Sequence, residues 1–322
     1  FALPNGGAIT LEPGGQVEYA TPPHDAPVAL LRDLGRVVPP LVDAAAGGGI
    51  ALVGRGIDPF NALADVPLQL DAPRYRMMDE YFATTGSAGA RMMRQTASVQ
   101  LNVDPAGDVE TTWRVLNAAA PYLTALFANS SRYAGEDSGF ASARAMTWRS
   151  VDPQRTGVLP CTGDIADEYA GFALWAPAMF LRTDDGGYLP ICEWLRRGNA
   201  TAETLATHLT TLFPEVRPKG YFEVRCIDAR PAGQYAAPVL VVAGLTRDPA
   251  ALAEAAALLG PPDPALLDRA ARLGLRDPSI ARTAAALYDL ALDGCARLGV
   301  DACGEPELDA ARAFLAERLA GS

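Results

Sequence analysis

Hydrophobic and polar positions alternate most clearly in RMMRQTASVQLNVD (residues 91–104), where Ala97, Val99, Leu101 and Val103 interleave with Thr96, Ser98, Gln100, Asn102 and Asp104. A period of two puts the two sets on opposite faces of an extended segment, so a strand is predicted over this stretch. YFEVRCID (221–228) alternates in the same way, with Phe222, Val224 and Cys226 on one face and Tyr221, Glu223 and Arg225 on the other. AITLEPGGQVEY (8–19) reads as two extended runs around a tight Pro-Gly-Gly turn. A helical period governs the stretch from His24 to about Ala46, with Pro39-Pro40 predicted to kink or break the helix and Gly47-Gly48-Gly49 to end it. IALVGRG then reads as a short buried strand, Asp58 to Pro73 as a loop, and RYRMMDEYF as a helix ended by Gly86. Helices are predicted from Asp108 to Asn129, from Asp164 to about Thr183 and from Ala202 to Phe213, with ARAMTWRSVDPQRTG as an extended piece entering a turn. After Pro231 the pattern stays helical, over 236–246, 249–259, 263–273, 279–298 and 306–320. Strand patterns therefore lie before residue 230 and only helices after it. The expected class is α+β, with a catalytic domain over 1–230 and a helical C-terminal subdomain over 231–322.

Composition narrows the function. The chain has 322 residues, 27 Lys+Arg against 38 Asp+Glu and a formal net charge of -11, with no basic stretch, which argues against a nucleic-acid or anionic-membrane partner. Lys219 is the only lysine, so almost every cation is a guanidinium, suited to carboxylate and phosphate. Five cysteines, at 161, 192, 226, 295 and 303, show no C-x-x-C spacing, so reduced thiols and a cytoplasmic location are expected. No apolar run reaches the roughly 18 residues of a membrane span.

The common catalytic signatures are missing: no P-loop, no G-x-G-x-x-G, no G-x-S-x-G and no H-E-x-x-H. His24 and His208 are the only histidines, too few for a multi-histidine metal site. What remains is a set of carboxylates, amides and arginines on strands. Glu12 and Glu18 flank the Pro-Gly-Gly turn, Gln100 and Asn102 share a strand face, and Glu223 and Arg225 share another. Carboxylates on neighbouring strands can hold Mg²⁺, a hard ion that takes oxygen ligands. The competing reading is a solvated ion-pair ladder such as Glu223–Arg225.

Five segments, LEPGGQVEY (11–19), RMMRQTASVQLNVD (91–104), ALFANS (125–130), RTG (155–157) and HLTTLFPEVRPKGYFEVRCID (208–228), together resemble the plant-type glutamate–cysteine ligases. RCIDARPAGQYAAPVLVVAGLTRDP and DRAARLGLRDPSIARTAA are similar to the actinobacterial branch that supplies γ-glutamylcysteine for ergothioneine synthesis. The resemblance implies a glutamine-synthetase-like ligase fold, whose antiparallel sheet forms the active-site floor beneath flanking helices. It implies that ATP with Mg²⁺ phosphorylates the γ-carboxylate of L-glutamate and that the amine of L-cysteine displaces the phosphate.

Carried over position by position, the resemblance makes Glu18, Glu12 and Glu223 metal ligands. It places Gln100 and Asn102 on the strand lining the nucleotide, though more distant members have a metal-binding histidine at the position of Gln100. It puts Arg225, with Glu223, at the transferring phosphoryl group. Arg144 and Arg74 are expected to grip a substrate carboxylate, and Thr96 and Asn129 to line the pocket. The partners implied are L-glutamate, L-cysteine and ATP, with no nucleic acid and no membrane, for a monomer or homodimer.

The family opens with a G-x-E-x-E strand whose glutamates bind metal, and nothing like it precedes Phe1. The 322-residue chain by itself is therefore expected to be a fragment that binds Mg-ATP poorly. Alternatives kept open are the same reaction feeding glutathione synthesis, a γ-glutamyl ligase for another amine, and a catalytically inactive relative that serves as a binding subunit.

Overall fold

A computed structural model describes residues 1–321. The chain opens with strands β1 (Ala8–Leu11) and β2 (Val17–Ala20), followed by helices α1 (Pro27–Gly47), α2 (Pro73–Ala83) and α3 (Ala88–Gln95). Strand β3 (Ser98–Val103) and helix α4 (Val109–Leu126) come next, then a small hairpin of β4 (Arg132–Tyr133) and β5 (Glu136–Asp137). The middle of the chain holds α5 (Ala143–Arg149), β6 (Thr156–Gly157), α6 (Ile165–Trp175), α7 (Ile191–Arg196) and α8 (Ala202–Leu209). Three strands follow, β7 (Phe213–Pro214), β8 (Val216–Pro218) and β9 (Phe222–Asp228). The rest is helical: α9 (Ala236–Arg247), α10 (Pro249–Leu258), α11 (Pro264–Leu273), α12 (Pro278–Leu298), α13 (Val300–Cys303) and α14 (Glu305–Ala320).

The sheets are small. The principal one is antiparallel with strand order β3-β9-β8, and β1–β2 forms a separate two-stranded hairpin. β9 is buried at all seven positions because helices cover one face and charged neighbours the other. In β3 the expected alternation holds, with Leu101 buried between exposed Gln100 and Asn102. A register shift between Val99 and Leu101 sets two residues of β9, Arg225 and Cys226, opposite the single residue Gln100, a bulge in β9.

One apolar core joins α4 and β9 to helices α9–α14, so it crosses the boundary near residue 230 without a break. Trp113 of α4 stacks on Phe222 of β9 at 5.5 Å, and α9 is buried on nearly every side. No single helix among the described residues is long and apolar enough to cross a membrane.

Five elements differ from the sequence pattern. α1 runs through Pro39 and Pro40 without a break. Each proline frees the carbonyl four residues before it, Gly35 and Arg36, and all four residues are exposed, so water can satisfy those carbonyls. Residues 91–95, expected to begin the strand, instead finish helix α3, because Met92 and Met93 bury one side of a turn that starts at Ser87. The 143–149 stretch is also a helix, capped by Ser142, whose hydroxyl accepts from the Ala145 amide at 3.0 Å. α6 stops at Trp175 instead of reaching Thr183, since Pro177 biases the residue before it away from the helix. The expected strand IALVGRG (50–56) has no regular structure; Gly54 there lies against the Arg230 carbonyl.

Candidate functional site

Arg225 and Glu223 project from the same face of β9, and both are buried, 6% and 5% exposed. Arg225 Nη1 donates to Glu223 Oε2 at 2.7 Å and to Gln100 Oε1 at 3.0 Å. Arg217 lies opposite Glu223 in the β8–β9 register, and its Nε donates to Glu223 Oε2 at 2.7 Å. Lys219 Nζ reaches Glu223 Oε1 at 3.3 Å. Of the two readings left open by the sequence, the structure forms the ion pair, and extends it to one carboxylate held by three cations. Burial by itself would push the Glu223 carboxyl up; Arg225, Arg217 and Lys219 together bring it below the usual carboxylate range. Burial and the neighbouring Arg217 lower the Arg225 guanidinium, and Glu223 opposes them.

The opening hairpin is brought to this cluster by its turn. Gln16 Nε2 donates to the Thr96 carbonyl at 3.0 Å and to the Met93 carbonyl at 3.3 Å, and Gln16 Oε1 accepts from the Gly14 amide at 2.9 Å. Gly14 lies so close to the end of α3 that a Cβ there would stand 1.9 Å from the Arg94 carbonyl oxygen. Glu12, next to the turn, is half-buried within electrostatic reach of Glu18, Arg225 and Arg74. Burial and the nearby Glu18 carboxylate raise the Glu12 carboxyl against the opposing pull of the two arginines. Glu18 is exposed and accepts from Thr10 Oγ1 at 3.2 Å.

Arg144, 3% exposed, donates from Nη2 to the Arg225 carbonyl at 2.6 Å and stands 3.7 Å from Asp228. The guanidiniums of Arg144 and Arg225 each lie 5.4 Å from the Trp148 ring centroid. Arg144 Nε, Arg225 Nε and Trp148 Nε1 are all buried without a hydrogen-bond partner. Three orphaned donors around one indole are unusual, since buried polar groups are nearly always satisfied. An acceptor-rich anion reaching them would satisfy these donors. Glu215 is also buried here, its carboxyl raised by desolvation despite Arg144, Arg149 and Arg225.

Other expected residues are committed elsewhere. Arg74 donates to Thr210 through Oγ1 at 2.6 Å and the carbonyl at 3.3 Å, which leaves it beside Glu12. The buried Thr96 hydroxyl donates to the Met92 carbonyl at 2.7 Å, so it finishes α3 rather than lining a pocket. Asn129 uses its amide on the carbonyls of Gly54 and Ala229, at 2.9 and 2.8 Å, and accepts from Arg55 at 2.7 Å. It clamps two segments together and makes no bond to the Arg225 cluster. Asn102 is exposed and faces Glu223 directly in the β3–β9 register.

The expected three-carboxylate metal set is not formed. Among the described residues no three acidic, histidine or cysteine side chains are grouped to hold an ion. Glu223 is paired with Arg217, Lys219 and Arg225, while Glu12 and Glu18, two carboxylates that repel each other, make no ion pair among the described residues.

The sequence pattern missed Trp148, Arg217, Lys219 and Glu215. Two signals were present: Trp148 follows Arg144 by four, and Lys219, the sole lysine, follows Arg217 by two.

A family model described as glutamate-cysteine ligase family 2 (GCS2) matches residues 2–302. Among curated relatives, glutamate–cysteine ligase EgtA of Mycobacterium tuberculosis is 36% identical over 271 residues, covering 77% of this chain and 61% of that protein. EgtA of Mycolicibacterium smegmatis is 36% identical over 270 residues, 79% of this chain and 63% of the relative. The chloroplastic glutamate–cysteine ligase of Medicago truncatula is 33% identical over 243 residues, 70% of this chain and 47% of the relative. The chain thus spans less than two thirds of the length of these relatives.

Proposed function

The chain belongs to glutamate–cysteine ligase family 2, and on that premise we propose that it takes part in ATP-dependent ligation of the γ-carboxylate of L-glutamate to L-cysteine. A γ-carboxylate oxygen attacks the terminal phosphorus of ATP, and ADP departs. The cysteine amine then attacks the acyl carbon, loses a proton and expels phosphate, giving γ-glutamylcysteine. The similarity of the tail to the ergothioneine branch favours that route over glutathione synthesis for the product.

The observation that carries this reading is the collection of Arg225, Arg217 and Lys219 beside the Arg144–Trp148 stack. Two anions must meet before phosphoryl transfer, and catalysis of that step is mostly positioning and charge stabilisation. Arg225, with Arg217 and Lys219, would meet the oxygens of the transferring phosphoryl group, and Glu223 would hold the three cations in place. Arg144 and the Trp148 indole N–H would hold a glutamate carboxylate, with Arg74 a further candidate for that task. Gln100 orients Arg225, and Asn102 stands on the open face where ATP would lie. A divalent cation entering with ATP would find Glu12 and Glu18, and would neutralise phosphate oxygens there.

Glutamate-dependent ADP release, measured with a panel of amines, tests the proposal. Cysteine is expected to give the highest kcat/KM. A response to other amines without one to cysteine would mark a different γ-glutamyl ligase. No nucleotide binding by calorimetry, with or without Mg²⁺, would leave only a binding subunit.

A further inference from the structure

A cavity of about 520 Å³ opens where residues 55–60, the β4–β5 hairpin, the end of α11 and the last turn of α14 meet. Asn129 is the one candidate residue above that lines it. Its wall carries four arginines, Arg55, Arg132, Arg276 and Arg318, against a single carboxylate, Asp137. Some exposed arginines elsewhere in this acidic chain pair with carboxylates, as Arg76 does with Asp71, Arg182 with Glu80 and Arg312 with Asp309. Among the described residues none of the four does.

These guanidiniums are held instead by neutral acceptors. Arg318 donates to the carbonyls of Leu126 and Ala125, at 2.9 and 3.3 Å, which end α4. Arg276 donates to those of Leu273 and Arg272, at 3.2 and 3.1 Å, which end α11. Cations at helix C-termini are favoured by the peptide dipoles. Arg55 donates to Asn129 Oδ1 at 2.7 Å, and Arg132 to the Gly135 carbonyl. A guanidinium has five N–H donors, so each of these keeps at least three for another acceptor. Buried Arg230 adds a fifth cation behind the wall; desolvation, then Arg318, push it down to about 10. Asp137 accepts from the Gly139 amide at 2.9 Å and so closes its own turn. Phe60, Phe140 and Leu275 supply apolar surface between the charges.

We propose that this cavity binds a small organic polyanion, a phosphate ester or a polycarboxylate with an apolar or planar body, independently of the Arg225 cluster. Spare donors on four fixed guanidiniums suit paired hydrogen bonds to such oxygens, and the anion relieves repulsion among the arginines.

Calorimetry at low ionic strength tests this, with inorganic pyrophosphate and citrate as probes. Saturable binding of at least one probe to the unaltered protein is expected. A double variant, Arg132→Gln with Arg276→Gln, removes two exposed charges and should weaken binding about tenfold or more. Asp137→Asn, which keeps the turn acceptor and removes the opposing charge, should tighten it about threefold, and this variant decides the matter if the double variant does not fold. A response to pyrophosphate alone assigns a phosphate ester, and one to citrate alone a polycarboxylate. No saturable binding of either probe, or equal affinity in all three proteins, overturns the proposal; equal affinity would place the anion elsewhere, as at Arg225.

Discussion

Arg225 Nη1 stands 2.7 Å from Glu223 Oε2, and the two side chains occupy one face of β9 two residues apart. The same carboxylate also receives Arg217 and Lys219, so it fixes the direction of every cation in the cluster. Glu223→Gln keeps the shape and removes the charge. Leaving buried cations uncompensated costs about 3 kcal/mol, so a melting temperature several degrees lower is expected, with turnover lost while the folded circular-dichroism spectrum is kept. Turnover retained at the unaltered rate would take Glu223 out of the site.

Trp148 offers its indole N–H beside Arg144 and Arg225 without any protein acceptor. Trp148→Phe keeps an aromatic ring beside both guanidiniums and deletes the N–H, along with some packing against Phe213. The KM for glutamate should rise about tenfold, as for a lost hydrogen bond to a charged group, with kcat little changed and a modest fall in melting temperature from the lost packing. An unaltered KM would show that the indole N–H does not touch substrate.

The tight turn at Gly14 docks the opening hairpin on the end of α3. A Cβ at Gly14 would meet the Arg94 carbonyl at 1.9 Å, so Gly14→Ala must lift the hairpin, at a cost of about 1–3 kcal/mol. Glu12 and Glu18 would move with it, away from Arg225 and Arg74. Gln16→Ala, which removes the two bonds to the Met93 and Thr96 carbonyls, should act in the same direction. Chemical denaturation with parallel turnover measurements reads both effects, and unchanged stability in both variants would contradict the docking.

His208 is buried, with Nε2 2.8 Å from the Ala173 carbonyl and Nδ1 unpartnered. Desolvation depresses its folded pKa below the ordinary value, although the Ala173 bond opposes this. The unfolded chain therefore takes up the proton first. Folding stability should be complete above the unfolded histidine pKa of about 6.5 and should fall as pH drops below it. The loss from Glu223, also held low in the folded state, should enter at more acidic pH, beginning in the ordinary carboxylate range and growing below it. Urea unfolding from pH 8 to 5 should show the histidine component, and His208→Gln should flatten it. A slope unchanged by His208→Gln would contradict the assignment.

The alternation of Gln100, Leu101 and Asn102 was legible because strand faces follow directly from a period of two, and so was the shared face of Glu223 and Arg225. The Pro-Gly-Gly turn was equally plain. Trp148 was hidden because residues 143–149 read as extended, and only a helix stacks a residue on its neighbour four positions earlier. Arg217 and Lys219 were hidden for a different reason. β8 is three residues long and shows no period by itself; its antiparallel register with β9 sets Arg217 opposite Glu223, and the short turn between the two strands carries Lys219 to the same carboxylate. The partnership of Glu223 depended on the same pairing, so its type alone suggested a metal ligand where the fold supplies guanidiniums.

The central claim is that these cations promote phosphorylation of a carboxylate before the amine attacks. Glutamate labelled with ¹⁸O in its γ-carboxylate tests it most directly, in a reaction with ATP, Mg²⁺ and L-cysteine catalysed by the protein expressed from its complete coding sequence. Passage through a γ-glutamyl phosphate predicts one labelled oxygen in each inorganic phosphate released, at a rate equal to γ-glutamylcysteine formation. Product formed with unlabelled phosphate, or label recovered in AMP, would contradict it.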